Sequence, residues 1–181
     1  MNGTALRFHF KGKSGRVWRL QVKDRRVARV VRACQELPGQ QLFQYLDDDG
    51  GPRGVSSSDV NAYLREISGL DITAKDFRTW AGTVQAAWAL AELGSAPSVT
   101  QSKRNLKLAI AQVAERLGNT VTICRKCYVH PDIIACYLEG ALELAAGKEG
   151  ALAPHDLTPQ AEAVLAFLES RLSGAGQRSA A

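Results

Sequence analysis

The sequence predicts a mainly helical domain with one small β-hairpin near its start, and three observations carry that expectation. Residues Thr4 to Phe10 alternate in polarity and lead through a glycine-bracketed turn into a second apolar run. Six later segments place apolar residues at helical spacing, several of them opened by Ser, Thr or Asp. At 181 residues, with no internal repeats and no clear linker, the chain has the length of one domain, or of one domain with a small appendage.

In the first strand Leu6, Phe8 and Phe10 share one side, with Arg7 and His9 on the other, the period of a half-buried strand. Gly12 and Gly15 bracket the turn and Val17 to Val22 supplies the returning strand. From Asp24 to Leu37 a helix is expected, with Val27, Val30, Val31, Cys34 and Leu37 inward, arginines opposite, and Pro38-Gly39 as its stop. Leu42 to Leu46 reads as a brief strand or turn of helix, and Asp47 to Gly54 as a loop. Ser58 can cap a helix through Ser68 whose inner face is Val60, Tyr63, Leu64 and Ile67. Thr73-Ala74-Lys75-Asp76 resembles a capping box, with Asp in place of Glu, opening a helix to about Leu93. Further helices are expected from Ser102 to Leu117, ended by Gly118, from Pro131 to Ala146, and from Pro159 to Leu172. The small, polar end from Ser173 to Ala181 is expected to fray.

Charge is unevenly distributed. The net formal charge is +5, yet Met1 to Arg32 holds Arg7, Lys11, Lys13, Arg16, Arg19, Lys23, Arg25, Arg26, Arg29 and Arg32 against Asp24 alone. Gln101 to Pro131 holds Lys103, Arg104, Lys107, Arg116, Arg125 and Lys126 against Glu115 alone. The acids collect in Asp47-Asp48-Asp49 and the last third. Such asymmetry suits a face turned to a polyanion, and equally a solvated charged face. No apolar stretch reaches ~18 residues, so no membrane span is expected, and the N-terminus lacks the apolar core of a secretory signal. Cys34, Cys124, Cys127 and Cys136 form no disulfide framework, and a reducing cytoplasm fits.

Three segments carry chemistry. Phe10-Lys11-Gly12-Lys13-Ser14-Gly15 puts a lysine at the hairpin tip. Lys75-Asp76-Phe77-Arg78-Thr79-Trp80 puts an arginine in the first turns of a helix. Gly118-Asn119-Thr120 runs on to Arg125-Lys126-Cys127-Tyr128. A phenol with a pKa near ~10 is a poor nucleophile unless cations and donors surround it and its target. A tyrosine in so basic a setting is therefore a candidate for covalent attack on a phosphate. Arg78 offers planar paired donors matched to two phosphate oxygens.

In this order the segments resemble the catalytic domain of type IB DNA topoisomerases, particularly the short bacterial and poxvirus-like branch. The resemblance covers about residues 5 to 145 and extends to the helix near 160. It implies the DNA breaking-rejoining fold shared with tyrosine recombinases, over residues 1–147, with 148–173 a C-terminal loop and helix packed on it and 174–181 a flexible tail. It implies that Tyr128 forms a 3′-phosphotyrosyl ester and releases a 5′-hydroxyl. Arg78 then stabilises charge on the non-bridging oxygens, Lys13 protonates the departing oxygen, and Asn119 donates to the phosphate where poxvirus enzymes carry histidine. Lys11 competes with Lys13, which is the one that follows the glycine. The partner is double-stranded DNA, contacted at its phosphates by Lys11, Arg16, Lys75, Lys103, Arg104, Arg125 and Lys126. No metal, nucleotide or other cofactor is implied, and a monomer in the bacterial cytoplasm, associated with the nucleoid, is expected.

Cys124 and Cys127 form Cys-X-X-Cys with His130 nearby, so zinc or redox chemistry has to be weighed. Only Cys136 and the distant His9 or His155 remain as further ligands, and no second pair at finger spacing exists. Relatives carry small residues here, so both cysteines read as packing positions, with His130 ordering the turn after Tyr128. A tyrosine recombinase is the nearest enzymatic rival, but its usual Arg-X-X-Arg or His-X-X-Arg pair is replaced by Lys75-Asp76-Phe77-Arg78. The resemblance also implies a further catalytic arginine ahead of the hairpin and an N-terminal clamp domain, whereas this chain starts almost on its first strand. Weak or no plasmid relaxation is therefore expected of the chain alone, as a late start codon, a fragment or a DNA-binding remnant would each give.

Overall fold

The computed structural model describes residues 5–12, 15, 17–39, 41–145 and 157–178, and the side chains of 174–178 are not described. Lys13 and Arg16, the proposed general acid and one proposed phosphate contact, lie outside the described residues. The chain divides into two compact units, Met1–Leu70 and Asp71–Ala181.

In the first unit β1 (Ala5–Lys11) pairs antiparallel with β2 (Val17–Lys23), in register from Ala5 opposite Lys23 to Lys11 opposite Val17. Burial falls along β1 from Leu6 through Phe8 to Phe10, so the hairpin runs out beyond its own core. Helix α1 (Arg25–Gln35) starts where the Asp24 carboxylate accepts the amides of Arg26 at 2.7 Å and Val27 at 3.0 Å. It buries Ala28 and Val31 against Leu6. Val27 and Val30, expected inward, are exposed, because the small Ala28 is the residue that turns to the strand.

The Leu42–Leu46 stretch, expected as a brief strand or turn of helix, holds β3 (Gln44–Leu46), and it pairs in a second hairpin with β4 (Pro52–Gly54), which lies in the stretch expected as a loop. Asp47 ties its turn, accepting from the Gly51 amide at 2.7 Å and from Arg53 Nε at 2.8 Å. Helix α2 (Ser57–Ser68) is capped by Ser56 rather than Ser58, since Asp59 reaches back to the Ser56 amide in a reciprocal box. Its apolar stripe of Val60, Tyr63 and Ile67, expected inward, is exposed, and no α2 residue is buried.

Among its described residues the second unit holds five helices: α3 (Ala74–Leu93), α4 (Val99–Leu117), α5 (Val121–Cys127), α6 (Pro131–Leu138) and α7 (Pro159–Arg178). Ala86, Ala87 and Leu90 of α3 meet Ala109, Ile110 and Val113 of α4, with Ile133, Val164 and Leu168 closing the core from α6 and α7. Alanine on both facing helices lets the backbones approach closely, and each large apolar side chain buried here contributes about 1.5–3 kcal/mol. Polar groups buried here find partners: the Tyr137 hydroxyl accepts from Asn105 Nδ2 at 2.6 Å and donates to the Gly94 carbonyl at 3.0 Å.

The helices of the second unit differ from expectation as follows. Helix α4 begins at Val99, because Ser98 supplies the cap and Ser102 lies inside, its hydroxyl donating to the Ser98 carbonyl at 3.1 Å. Helix α5 lies where no helix was expected. Helix α6 stops at Leu138 rather than Ala146, turned back by amides of Gly140 and Ala141 that bond Tyr137 and Cys136 carbonyls. Helix α7 continues past Leu172 to Arg178.

Candidate active site

The site is built where three helix ends of the second unit meet. Thr73 and Asp76 start α3: both the amide and the hydroxyl of Thr73 donate to Asp76 Oδ2 at 2.8 Å. The Thr73 hydroxyl and amide hold the Asp76 carboxyl below its ordinary range. This fixes the register of the first turns, and with it the face of α3 on which Arg78 stands.

Helix α4 ends at Gly118, whose φ of 67° is the left-handed conformation that glycine adopts without strain. The Asn119 amide turns back to the Ala114 carbonyl at 3.0 Å. The last carbonyls of a helix have no intrahelical partner, and that of Leu117 takes two side-chain donors instead. Arg78 Nη2 donates to it at 2.7 Å and Asn119 Nδ2 at 3.3 Å.

Thr120 then caps α5, its hydroxyl oxygen accepting the Ile123 amide at 3.3 Å. Eight residues later the helix ends at Tyr128, which leaves helical geometry at φ −129° and ψ 4° while its amide bonds the Cys124 carbonyl at 3.0 Å. Tyr128 is half-buried against the core, and the Arg78 guanidinium carbon lies 5.2 Å from its ring centroid. That is cation–π distance. Arg78 and Asn119 thus share the Leu117 carbonyl, and Arg78 also lies against the ring of Tyr128.

The other residues singled out by sequence are placed as follows. Arg125 and Lys126 are exposed on the last turn of α5, and Lys75 is exposed on the first turn of α3. Lys103 and Arg104 are exposed on α4, but some 13 or 14 residues before Leu117, which is about 20 Å along the helix. They are not part of the cluster. Lys11 is exposed at the end of β1 in the first unit.

Cys124 is fully buried, and burial pushes its thiol up from the ordinary range. Cys127 is exposed, so the packing role expected of both holds for Cys124 and not for Cys127. The reason is helical: three residues apart at the end of a short helix, one faces the core and the other faces away. His130 caps α6, Nδ1 accepting the Asp132 amide at 3.3 Å, as its expected role in ordering the turn requires.

Sequence reasoning missed Thr79, Gly82 and Thr83. All three lie on α3 and touch the backbone on either side of Tyr128. The Thr79 hydroxyl reaches the Cys127 carbonyl at 3.3 Å as well as that of Lys75 at 3.0 Å. A Cβ on Gly82 would meet the Tyr128 carbonyl oxygen, and the Thr83 hydroxyl oxygen accepts the His130 amide at 3.0 Å. Contacts made to backbone atoms leave no pairing signal in the sequence.

Comparison with known proteins gives these contacts a context. The family model for the eukaryotic DNA topoisomerase I catalytic core matches residues 1–148. The DNA topoisomerase 1B of Acanthamoeba polyphaga mimivirus is 29% identical over 131 residues, which is 68% of this chain and 39% of the viral protein. The chain therefore spans well under half the length of that relative. On the strength of a match over most of its residues, the chain belongs to the family of the eukaryotic DNA topoisomerase I catalytic core.

Proposed function

We propose that this chain carries out the strand-breaking and rejoining chemistry of a type IB topoisomerase, of the short branch that its motif segments resemble. Tyr128 attacks a backbone phosphorus, forming a 3′-phosphotyrosyl ester as the bond to the 5′-oxygen breaks. Lys13 protonates that oxygen, and the free end rotates before the 5′-hydroxyl attacks in reverse. The ester conserves the bond, so resealing needs neither nucleotide nor metal. Arg78 and Asn119 hold the non-bridging oxygens as charge develops there, the form of stabilisation that contributes most in reactions of this kind. Lys11, Arg16, Lys75, Lys103, Arg104, Arg125 and Lys126 contact phosphates and position the duplex without reading its sequence. Residues 1–147 make up the catalytic domain, of the fold shared with tyrosine recombinases, acting as a monomer in the cytoplasm.

The observation that supports this most is that Arg78, anchored with Asn119 on the last carbonyl of α4, also lies over the ring of Tyr128. An arginine already held beside the phenol ring needs little reorganisation to receive a phosphate that the phenol attacks.

The test is covalent trapping on a labelled duplex whose short 3′ segment diffuses away after cleavage, run on a denaturing gel beside Tyr128→Phe. A shifted protein–DNA band in the parent alone establishes Tyr128 as the nucleophile. Absence of the band, with salt-sensitive DNA binding retained, replaces this reading with that of a DNA-binding module.

A further inference from the structure

The peptide that carries Tyr128 is fastened to α3 by residues that take no part in the reaction proposed above. Gly82 stands where the Tyr128 carbonyl oxygen comes up against the helix, and a Cβ there would collide with that oxygen and crowd Leu117 Cδ1 at 3.3 Å. The next residue, Thr83, is 2% exposed, and its hydroxyl oxygen accepts the His130 amide. Val129, between the two fastenings, is buried in the core. One turn earlier on the same helix stand Thr79, which reaches the Cys127 carbonyl, and Arg78.

Residues four apart on a helix share a face and are separated by about 6 Å along the axis. The helix therefore acts as a ruler: Arg78 with Thr79 at one mark, Gly82 with Thr83 at the next. The peptide on either side of Tyr128 is docked on both marks.

We propose that Thr83, with the bare backbone of Gly82 beside it, is a positioning residue that sets the Tyr128 backbone against the helix carrying Arg78. Its consequence for cleavage rests on the reading of Tyr128 as the nucleophile. The phenol oxygen lies at the far end of a long side chain, so a small rotation of the peptide is magnified where attack occurs. Misplacement by about 1 Å costs on the order of 100-fold in rate. Replacing Thr83 with valine keeps the shape but leaves the His130 amide without its acceptor, which the peptide can relieve only by reorienting.

The protein grown with 3-fluorotyrosine tests this directly, since its tyrosines are Tyr45, Tyr63, Tyr128 and Tyr137. The Tyr128 fluorine resonance is identified by its loss in Tyr128→Phe. In Thr83→Val that resonance shifts or broadens while the other three stay in place, Tyr137 reporting on the same core. Covalent trapping slows by about 10- to 100-fold with DNA affinity held within about twofold, and Thr83→Ser restores both readouts. Gly82→Ala moves the Tyr128 resonance as well, by a different route, and decides the matter if Thr83→Val does not fold. An unmoved Tyr128 resonance in both variants overturns the proposal. So does a folded Thr83→Val protein in which all four resonances shift together, because the role is then general support of the core. If the resonance moves selectively but the parent traps no DNA, positioning stands and the reading of Tyr128 as nucleophile falls.

Discussion

The Arg78 guanidinium carbon lies 5.2 Å from the centroid of the Tyr128 ring while its Nη2 donates to the Leu117 carbonyl at 2.7 Å. A guanidinium has five N–H donors, so the bond to Leu117 anchors the group and leaves the others for a phosphate. Arg78→Ala is expected to slow covalent trapping by ~10²–10³-fold, the cost of losing a preorganised donor to developing charge. Arg78→Lys is expected to recover little of this, since an ammonium lacks the planar fork and the stacking on the ring. Single-turnover rates on the trapping duplex measure both. A lysine variant close to parent speed would show that only charge matters at this position.

Asn119 shares the Leu117 carbonyl but donates as a neutral amide. Hydrogen bonds from neutral groups are about half as strong as charge-assisted ones, so Asn119→Ala is expected to slow trapping by only about tenfold. Its fold should survive, because the turn after α4 is held by the backbone bond from Asn119 to Ala114 and by Gly118, and neither needs the side chain. A loss as large as that of Arg78→Ala, in a protein with an unchanged thermal midpoint, would mean that Asn119 does more than donate one bond.

Tyr137 gives a stability prediction away from the site. Its hydroxyl accepts from the buried Asn105 amide and donates to the carbonyl of Gly94, an exposed residue. Tyr137→Phe strands the buried Asn105 amide, at a cost of about 1–3 kcal/mol. Urea denaturation should show a lower midpoint with an unchanged slope. A midpoint equal to the parent's would mean that water replaces the hydroxyl.

The elements legible in the sequence are those with a long period and a side-chain cap. The alternation that gave β1, and the Thr73-to-Asp76 box before α3, are local patterns that tertiary packing did not override. Helix α5 was missed because seven residues leave no room for two turns of apolar spacing, although Thr120 was there as its cap. The inner face of α1 differs from expectation because hydrophobicity alone ranks Val27 and Val30 above Ala28, whereas the strand beneath selects the smaller residue. The candidate site divides the same way. Arg78, Asn119 and Tyr128 stand in motifs whose side chains bear chemistry, while Thr79, Gly82 and Thr83 serve backbone atoms of another segment.

The start of α3 ties stability to pH. Asp76 accepts from the hydroxyl and the amide of Thr73, and those bonds hold its carboxyl below the ordinary aspartate value. A depressed carboxylate contributes stability that is fully present above the unfolded pKa, near ~3.9, and is lost as pH falls through the lower folded value. Asp76→Ala should therefore melt below the parent at neutral pH, and the gap should close in strong acid, where the parent's carboxylate is protonated too. Asp24, Asp47 and Asp59 are held down by their own hydrogen bonds, so both proteins lose stability in acid; only the difference between them isolates Asp76. Thermal melts of the pair from neutral pH to about pH 2 make the comparison. A gap that stays constant through acid would show that the carboxylate's charge contributes nothing, and that Asp76 acts only through the shape of the first turn that presents Arg78.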